Sequence, residues 1–175
     1  MKRLFIILTS TVILLVACKK DVAERTSGTD VIDNIIHPSI SYYAYGFSFS
    51  QAKLVATNST PPPDITFLLN SDDIPTLQTN NFHPSFLKIR DFASESEAKA
   101  AFDYLKTVQY SQQWLDIAIH IAEIAPNQVW VYRSDKEKYT KIRIVEINEK
   151  EEQGVAYVEF KFQWVHQPDG SVNFP

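Results

Sequence analysis

The chain has 175 residues, a formal net charge of −4 and a pI near 5.5, with one cysteine, one methionine and four glycines. This length predicts one globular domain, and the acidic balance argues against a nucleic-acid-binding protein, which would carry a basic face. Four dispersed glycines exclude a phosphate-binding loop, and one cysteine excludes both a disulfide framework and a cysteine-rich zinc site.

The N-terminus has the pattern of a lipoprotein signal peptide. Lys2 and Arg3 precede an apolar run over residues 4–17, which is shorter than the roughly 20 residues that span a bilayer. The run ends in Leu-Val-Ala-Cys, a lipobox whose lipidated residue is Cys18, the only cysteine of the chain. The alternative is an ordinary signal peptide with an incidental cysteine. We expect residues 1–17 to be removed and Cys18 to hold the protein on a membrane through its acyl chains.

Residues 18–39 are predicted to form a flexible tether, because they are polar and show no hydrophobic period. Within them, Ile32, Ile35 and Ile36 have the spacing of a short helical turn that docks on the domain. Lys-Lys-Asp directly after Cys18 is either an export signal for the outer cell surface or simple solvated charge. The remaining residues, 40–175, are predicted to be a single β-rich domain.

The first half of that domain is predicted to be rich in short strands. Residues 42–50 alternate, which places Tyr43, Tyr45, Phe47 and Phe49 on one face. Three prolines then interrupt any sheet, since proline cannot donate to the hydrogen-bond ladder. The segments in chain order are a strand at 42–50, its hairpin partner at 53–57, prolines at 61–63, a short buried strand at 64–69, and a loop-like stretch over 70–90.

One amphipathic helix is predicted over about residues 95–108. Ser94 and Glu97 have the spacing of a capping box. Its apolar residues recur at helical spacing along one stripe, namely Ala98, Ala101, Phe102, Leu105 and Val108. Residues 111–125 are ambiguous between helix and strand, and we favour a short helical segment beginning near Ser111.

The C-terminal third predicts an antiparallel β-meander. Residues 129–133 and 139–147 have strand composition, with a charged turn predicted between them at 134–138 and a second charged turn at 148–154. Phe160, Phe162 and Trp164 alternate with polar residues in a further strand at 156–164, and a last edge strand is expected at 171–174. The predicted fold class is therefore mostly β (α+β), a meander or sandwich-like domain with one helix.

Several of these segments resemble the HmuY-like family of haem-binding surface lipoproteins. They are Tyr-Gly-Phe-Ser-Phe-Ser (45–50), Asp-Ile-Thr-Phe (64–67), Val-Trp-Val-Tyr-Arg (129–133), Lys-Tyr-Thr-Lys-Ile (138–142) and Phe-Lys-Phe-Gln-Trp-Val-His-Gln-Pro-Asp-Gly (160–170). The match covers residues 42–69 and 128–174, about half of the mature chain. It departs at Pro63, where the family usually has tryptophan, and it does not extend to 70–125.

The resemblance implies a lipoprotein of the outer membrane, on the cell surface or the periplasmic face, that captures haem between two His or Met side chains. It implies as partners haem, a haem-carrying protein or an outer-membrane receptor, and no nucleic acid. The family's ligands come from the middle of the fold, where this chain shows no match. Fold, location and broad class therefore follow from the resemblance, and no ligand residue does.

Histidines are the candidate axial ligands, because Met1, the only methionine, leaves with the signal peptide. We predict the pair His83 and His120, since both lie in the middle of the chain. Each has a plain alternative: His83 as a surface side chain in a loop, and His120 as a partly buried side chain on a polar stripe. His37 falls in the predicted tether, and His166 is expected to face solvent.

No catalytic residue or metal site is predicted, because the chain carries neither a G-x-S-x-G elbow nor an H-E-x-x-H motif. Two functions remain. The first is a membrane-anchored, ligand-capturing (haemophore-like) lipoprotein, with haem as the candidate cofactor. The second is a structural or partner-binding surface lipoprotein without a haem site.

Overall fold

The computed structural model describes residues 25–38, 41–108, 114–115 and 122–175. The predicted signal peptide, Cys18, His120 and most of the ambiguous segment at 111–125 lie outside these residues. In the described part, the chain is mostly β, with ten strands and one helix. They are β1 (Ser27–Asp33), β2 (Tyr45–Ser48), β3 (Lys53–Ala56), β4 (Thr66–Leu69), β5 (Pro75–Gln78), β6 (Phe86–Asp91), α1 (Glu95–Tyr104), β7 (Ala122–Glu123), β8 (Gln128–Arg133), β9 (Tyr139–Glu152) and β10 (Val155–Gln167).

The predicted C-terminal meander is confirmed as the centre of a five-stranded antiparallel sheet in the order β1-β10-β9-β8-β6. Phe160, Phe162 and Trp164 are all 0 % exposed and face the core together, as their alternation predicts. The charged stretch at 148–154 is not a loop, however. It continues β9, and the turn is only Gln153-Gly154, whose positive φ angles of 53° and 79° suit a two-residue hairpin turn.

The predicted flexible tether over 18–39 is wrong for residues 27–33. These residues form β1, which pairs with β10 from Ser27↔Val165 to Asp33↔Glu159. Ile32 is the only buried side chain of β1. The sequence of the strand therefore lacks the alternation of apolar and polar residues from which a strand is predicted. Ile32 also lies in this strand and not in the helical turn that was predicted with Ile35 and Ile36.

Because β1 occupies the edge of β10, the predicted edge strand at 171–174 does not form there. This segment instead pairs with the residues that follow the helix, where the N–H of Val108 donates to the carbonyl of Val172 and the N–H of Phe174 donates to the carbonyl of Lys106. The predicted loop over 70–90 is also wrong in part, since it contains β5 and most of β6. Proline at the first position of β5 hid this strand, although proline is tolerated at the start of a strand.

The predicted helix is confirmed but ends at Tyr104, four residues earlier than expected. Its capping box forms with a small shift: the Ser94 hydroxyl accepts from the Glu97 N–H, and the Glu97 carboxylate accepts from the N–H of Ala93. The helix has no basic residue in its last turn. Lys141 of β9 supplies the missing cation, because its Nζ donates to the carbonyls of Phe102 and Leu105 at 2.9 and 3.1 Å.

Two smaller sheets, β2-β3 and β4-β5-β7, cover the inner face of the large sheet. Phe47 contacts Phe162 and Trp164 with ring centroids 5.3 and 5.4 Å apart, which joins the layers through one aromatic core. Phe47 and Ile65 are linked by backbone hydrogen bonds, so β2 and the start of β4 are held together. Among the described residues, no helix has the length and apolar character that crossing a bilayer requires.

Candidate functional site

A cavity of about 330 Å³ lies where the C-terminal end of β10 meets the end of β2, the proline run, the loop after β5 and the β8–β9 turn. We call it the His166 cavity. Its walls carry hydroxyls, amides and charges of both signs around an apolar proline wall. The lining residues are Ser48, Ser50, Pro61, Pro62, Pro63, Asp64, Asn80, Asn81, Phe82, Ser134, Asp135, Lys136, Lys138 and His166.

His166 is buried, with 5 % of its surface exposed, so the prediction that it faces solvent is wrong. It lies two residues beyond Trp164 on β10 and therefore continues the inward face of that strand. Its Nδ1 lies 2.8 Å from the Thr140 hydroxyl, and its ring stacks against Phe49. Its Nε2 is buried and has no hydrogen-bond partner among the described residues. The alternation of inward and outward side chains along β10, which predicts the core, also predicts that His166 is buried.

Burial, together with the nearby positive charge of Lys138, lowers the pKa of His166 to about 4. A hydrogen bond with the backbone of Tyr139 acts in the opposite direction and is the smallest of the three effects. The ring is therefore neutral near pH 7. A neutral imidazole carries one donor nitrogen and one acceptor nitrogen. With Nδ1 within hydrogen-bond distance of the Thr140 hydroxyl, Nε2 is the nitrogen without a partner among the described residues, and a ligand reaches it only when the groups that cover it move.

This pKa predicts a loss of stability in acid. Between pH 6.5 and 4 the unfolded chain binds a proton at His166 that the folded chain does not, so the free energy of unfolding falls as the pH falls through this range. We expect a contribution of about 2–3 kcal/mol, measured by urea unfolding across that range. The raised pKa of Asp64 acts in the opposite direction, so the comparison is with His166→Gln, which should lose clearly less stability. Equal pH dependence of the two proteins would contradict the assignment.

Asp64 fixes the floor of the cavity. Its Oδ2 accepts from the Phe49 N–H at 2.7 Å, and its Oδ1 accepts from the Tyr132 hydroxyl at 3.4 Å. Burial raises the pKa of Asp64, although these donors and Ser48 act against the rise. The carboxylate thereby joins the end of β2 to β8 across the cavity.

Asn81 holds the loop that follows β5. Its Nδ2 lies 2.8 Å from the Arg133 carbonyl, 2.9 Å from the Ser85 hydroxyl and 3.2 Å from the Tyr132 hydroxyl. Burial raises the pKa of Tyr132 well above its ordinary value, so the phenol stays protonated. Because Asn81 is anchored on three sides, the position of Phe82 next to it is also constrained.

The mouth of the cavity carries an aromatic ring that does not belong to the core. Phe82 is 99 % exposed, the highest exposure among the large hydrophobic residues of the described chain. Asn80 is exposed as well, and its Nδ2 reaches the Pro63 carbonyl at 3.5 Å, which is a long contact. Sequence reasoning placed these residues in a loop and gave them no role.

Of the two predicted haem ligands, His83 and His120, only His83 belongs to the described residues. The Nδ1 of His83 lies 3.1 Å from the Pro84 carbonyl, and its Nε2 lies 3.4 Å from Asp135, a residue of the cavity wall. His120 lies outside the described residues, so the pairing of His83 with His120 stays a prediction. Within the described ranges, no cluster of three or more His, Cys, Asp and Glu side chains has the arrangement of a metal site.

A second cavity of about 260 Å³, the Tyr42 cavity, shares Asn80 with the first. Tyr42 is 76 % exposed at its edge. Next to it, His37 stacks on Tyr43 and meets Tyr45 edge-on, with ring centroids 5.1–5.3 Å apart. His37 is therefore part of an aromatic cluster on the body of the domain. The Tyr42 cavity is lined by Ile36, Tyr42, Tyr43, Ala44, Thr57, Thr66, Leu68, Gln78, Thr79 and Asn80.

No protein-family model matches the sequence, and no curated protein matches it at a significant level. A concave surface with a fixed polar floor, exposed aromatic rings and an unpaired buried nitrogen is suited to holding a small molecule.

Proposed function

We propose that this protein is a membrane-anchored lipoprotein of the outer membrane that captures a small ligand at the His166 cavity. The observation that carries the proposal is Phe82, whose ring is 99 % exposed at the mouth of a cavity that also holds a buried histidine nitrogen without a hydrogen-bond partner in the described part of the chain. Keeping such a ring in water forgoes about 1.5–3 kcal/mol of hydrophobic stabilisation. A ligand that covers the ring recovers part of this free energy, which is a physical reason for its placement.

The anchor rests on Cys18 and the lipobox before it. Acyl burial contributes about 0.8 kcal/mol per methylene group, and two chains already hold a protein on a membrane stably. In this arrangement the described β-rich body lies in water while the lipidated N-terminus lies in the bilayer. A ligand-capturing protein tethered in this way stays close to any outer-membrane receptor that accepts its ligand.

Replacing Cys18 tests the anchor directly. We expect Cys18→Ser to lose acylation in intact-mass measurements and to move from the membrane fraction to the soluble fraction, because no other cysteine is available to be lipidated. Ser10→Ala is the matched control, since it leaves Leu-Val-Ala-Cys unchanged and should keep the acylation of Cys18 and the membrane location. A Cys18→Ser protein that partitions like the wild type would contradict the lipobox interpretation.

Haem is one candidate ligand, supported by the resemblance to HmuY-like lipoproteins and by the neutral, unpaired Nε2 of His166. Haemin titration of the Cys18→Ser protein, read at the Soret band, tests it. Loss of a Soret shift in His166→Ala assigns the iron to the cavity. Loss in His83→Ala and in His120→Ala assigns it to the predicted pair. An unshifted Soret band would exclude haem as the ligand, and the proposal would then be capture of another small molecule.

The alternative function is that of a structural or partner-binding lipoprotein without a small-molecule site. The exposed side chains of Ile36, Tyr42 and Leu54 favour it, because apolar groups that remain in water often mark contact surfaces. Under this alternative Phe82 docks onto a protein and the two cavities hold water. Ligand binding at the cavities separates the two functions.

A further inference from the structure

The two cavities adjoin at Asn80, and together we call them the binding face. Asn80 lines both of them, so an occupant of the His166 cavity lies next to an occupant of the Tyr42 cavity. Their volumes of about 330 and 260 Å³ are near the lower end of the range for small-molecule sites. A ligand made of two linked units of modest size fits this division better than one large rigid plate does.

Exposed aromatic rings mark both halves of this face. Phe82 stands at the first cavity with 99 % exposure, and Tyr42 stands at the second with 76 % exposure. Such rings offer flat apolar surfaces, and tyrosine adds a hydroxyl at one end. A pyranose ring presents a matching face of C–H groups, while its hydroxyls point outward around the rim.

The polar groups between the rings can donate and accept hydrogen bonds at the same place. The exposed amide of Asn80 carries two donor hydrogens and an acceptor oxygen, and its intramolecular contact is long, at 3.5 Å. Ser50 and Ser134 add hydroxyls to the first cavity, and Gln78 adds an amide to the second. Sugar hydroxyls are themselves both donors and acceptors, so they can use every one of these groups.

The charges around the His166 cavity balance. Asp64 and Asp135 oppose Lys136 and Lys138, and His166 is neutral near pH 7. An anionic ligand such as a phosphate ester would be expected to meet an excess of cations. Balanced charge with many neutral polar groups instead suits an uncharged ligand rich in hydroxyls.

From this face we propose that the captured ligand is a neutral saccharide, with one sugar ring on Phe82 over the His166 cavity and the next in the Tyr42 cavity. The inference rests on the ligand capture proposed above and adds the class of ligand. Asn80 lies between the two sugar units and bonds their hydroxyls. Asp64 and Asn81 act as positioning residues, since their hydrogen bonds fix the cavity floor and the loop that carries Phe82.

The test is isothermal titration of the Cys18→Ser protein with maltohexaose, cellohexaose, xylohexaose, mannohexaose and chitohexaose, each to about 10 mM. We expect at least one of them to bind, and both Phe82→Ala and Asn80→Ala to weaken that binding at least about tenfold, or 1.4 kcal/mol. Both side chains are exposed, so neither change should alter the melting temperature. Tyr104→Ala, which removes another highly exposed ring from the end of α1, is the matched control and should bind normally.

Absence of binding across the panel overturns the saccharide inference, and so does binding that neither variant weakens. If haemin binds at His166 while the panel does not, the saccharide inference fails but ligand capture stands. If neither haemin nor any oligosaccharide binds, the saccharide inference fails, and the partner-binding alternative gains over ligand capture.

Discussion

Phe162→Ala is expected to lower the free energy of unfolding by about 3–5 kcal/mol, the usual range for deletion of a buried aromatic side chain. Phe162 is 0 % exposed and packs between the two layers, with Phe47 on one side and Phe160 stacked 5.0 Å away in its own strand. Phe49 also meets the Phe162 ring edge-on, with ring centroids 6.4 Å apart, so the deletion opens a space inside a packed aromatic cluster. Urea unfolding monitored by tryptophan fluorescence measures the loss.

Phe82→Ala provides the matched control for this deletion. It removes the same side chain from a position that is 99 % exposed, so the expected change in stability is within about 0.5 kcal/mol. A loss below 1 kcal/mol for Phe162→Ala would mean that β10 is out of register, since a slip by one residue moves its whole apolar face into solvent.

Gly46→Ala should be nearly as damaging, although it adds a single methyl group. A Cβ at residue 46 would collide with the carbonyl oxygen of Ile65 and would lie 2.7 Å from the ring of Pro63. Neither neighbour can give way cheaply, because Ile65 pairs with Phe47 and Pro63 is a buried wall of the cavity. We expect a loss of about 3 kcal/mol, at the upper end of the range for overpacking.

The control is Gly28→Ala in β1, where the added methyl group meets only the flexible end of the Arg25 side chain. That change should cost less than about 1 kcal/mol. Because the two residues that the added methyl group would displace, Pro63 and Ile65, flank Asp64, Gly46→Ala should also weaken ligand binding at the His166 cavity. Wild-type stability of the Gly46→Ala protein would show that β2 and β4 do not approach as closely as described.

The last strand of the C-terminal meander could be predicted because its side chains alternate between the core and a partly exposed face. Phe160, Phe162 and Trp164 are large enough to make that period unmistakable. β1 could not be predicted in the same way, because Ile32 is its only buried side chain and its sequence shows no alternation. The strand forms by pairing with the edge of β10, a contact between residues distant in sequence. The strand β5 was hidden for a different reason: its first residue is a proline, which reads locally as a break.

The site was less predictable than the fold, because its parts are distant in sequence. His166, Asp64, Asn81 and Phe82 line one cavity but come from three segments that are distant in sequence, and no spacing along the chain predicts that they meet. His166 lies two residues after Trp164 and therefore on the same face of the strand, so its inward position could be predicted from the sequence. The exposure of Phe82 carried no such signal, since an aromatic residue in a short loop is equally compatible with packing in the core.

Native mass spectrometry of the protein, isolated from its membranes without denaturation, tests ligand capture most directly. We expect a small molecule to co-purify with the wild-type protein and to be lost from Asn80→Trp, where the indole fills the junction of the two cavities. Tyr104→Trp, at an exposed position on the helix, should retain it. A wild-type protein without any bound mass, or an Asn80→Trp protein with undiminished occupancy, would contradict capture at the His166 cavity.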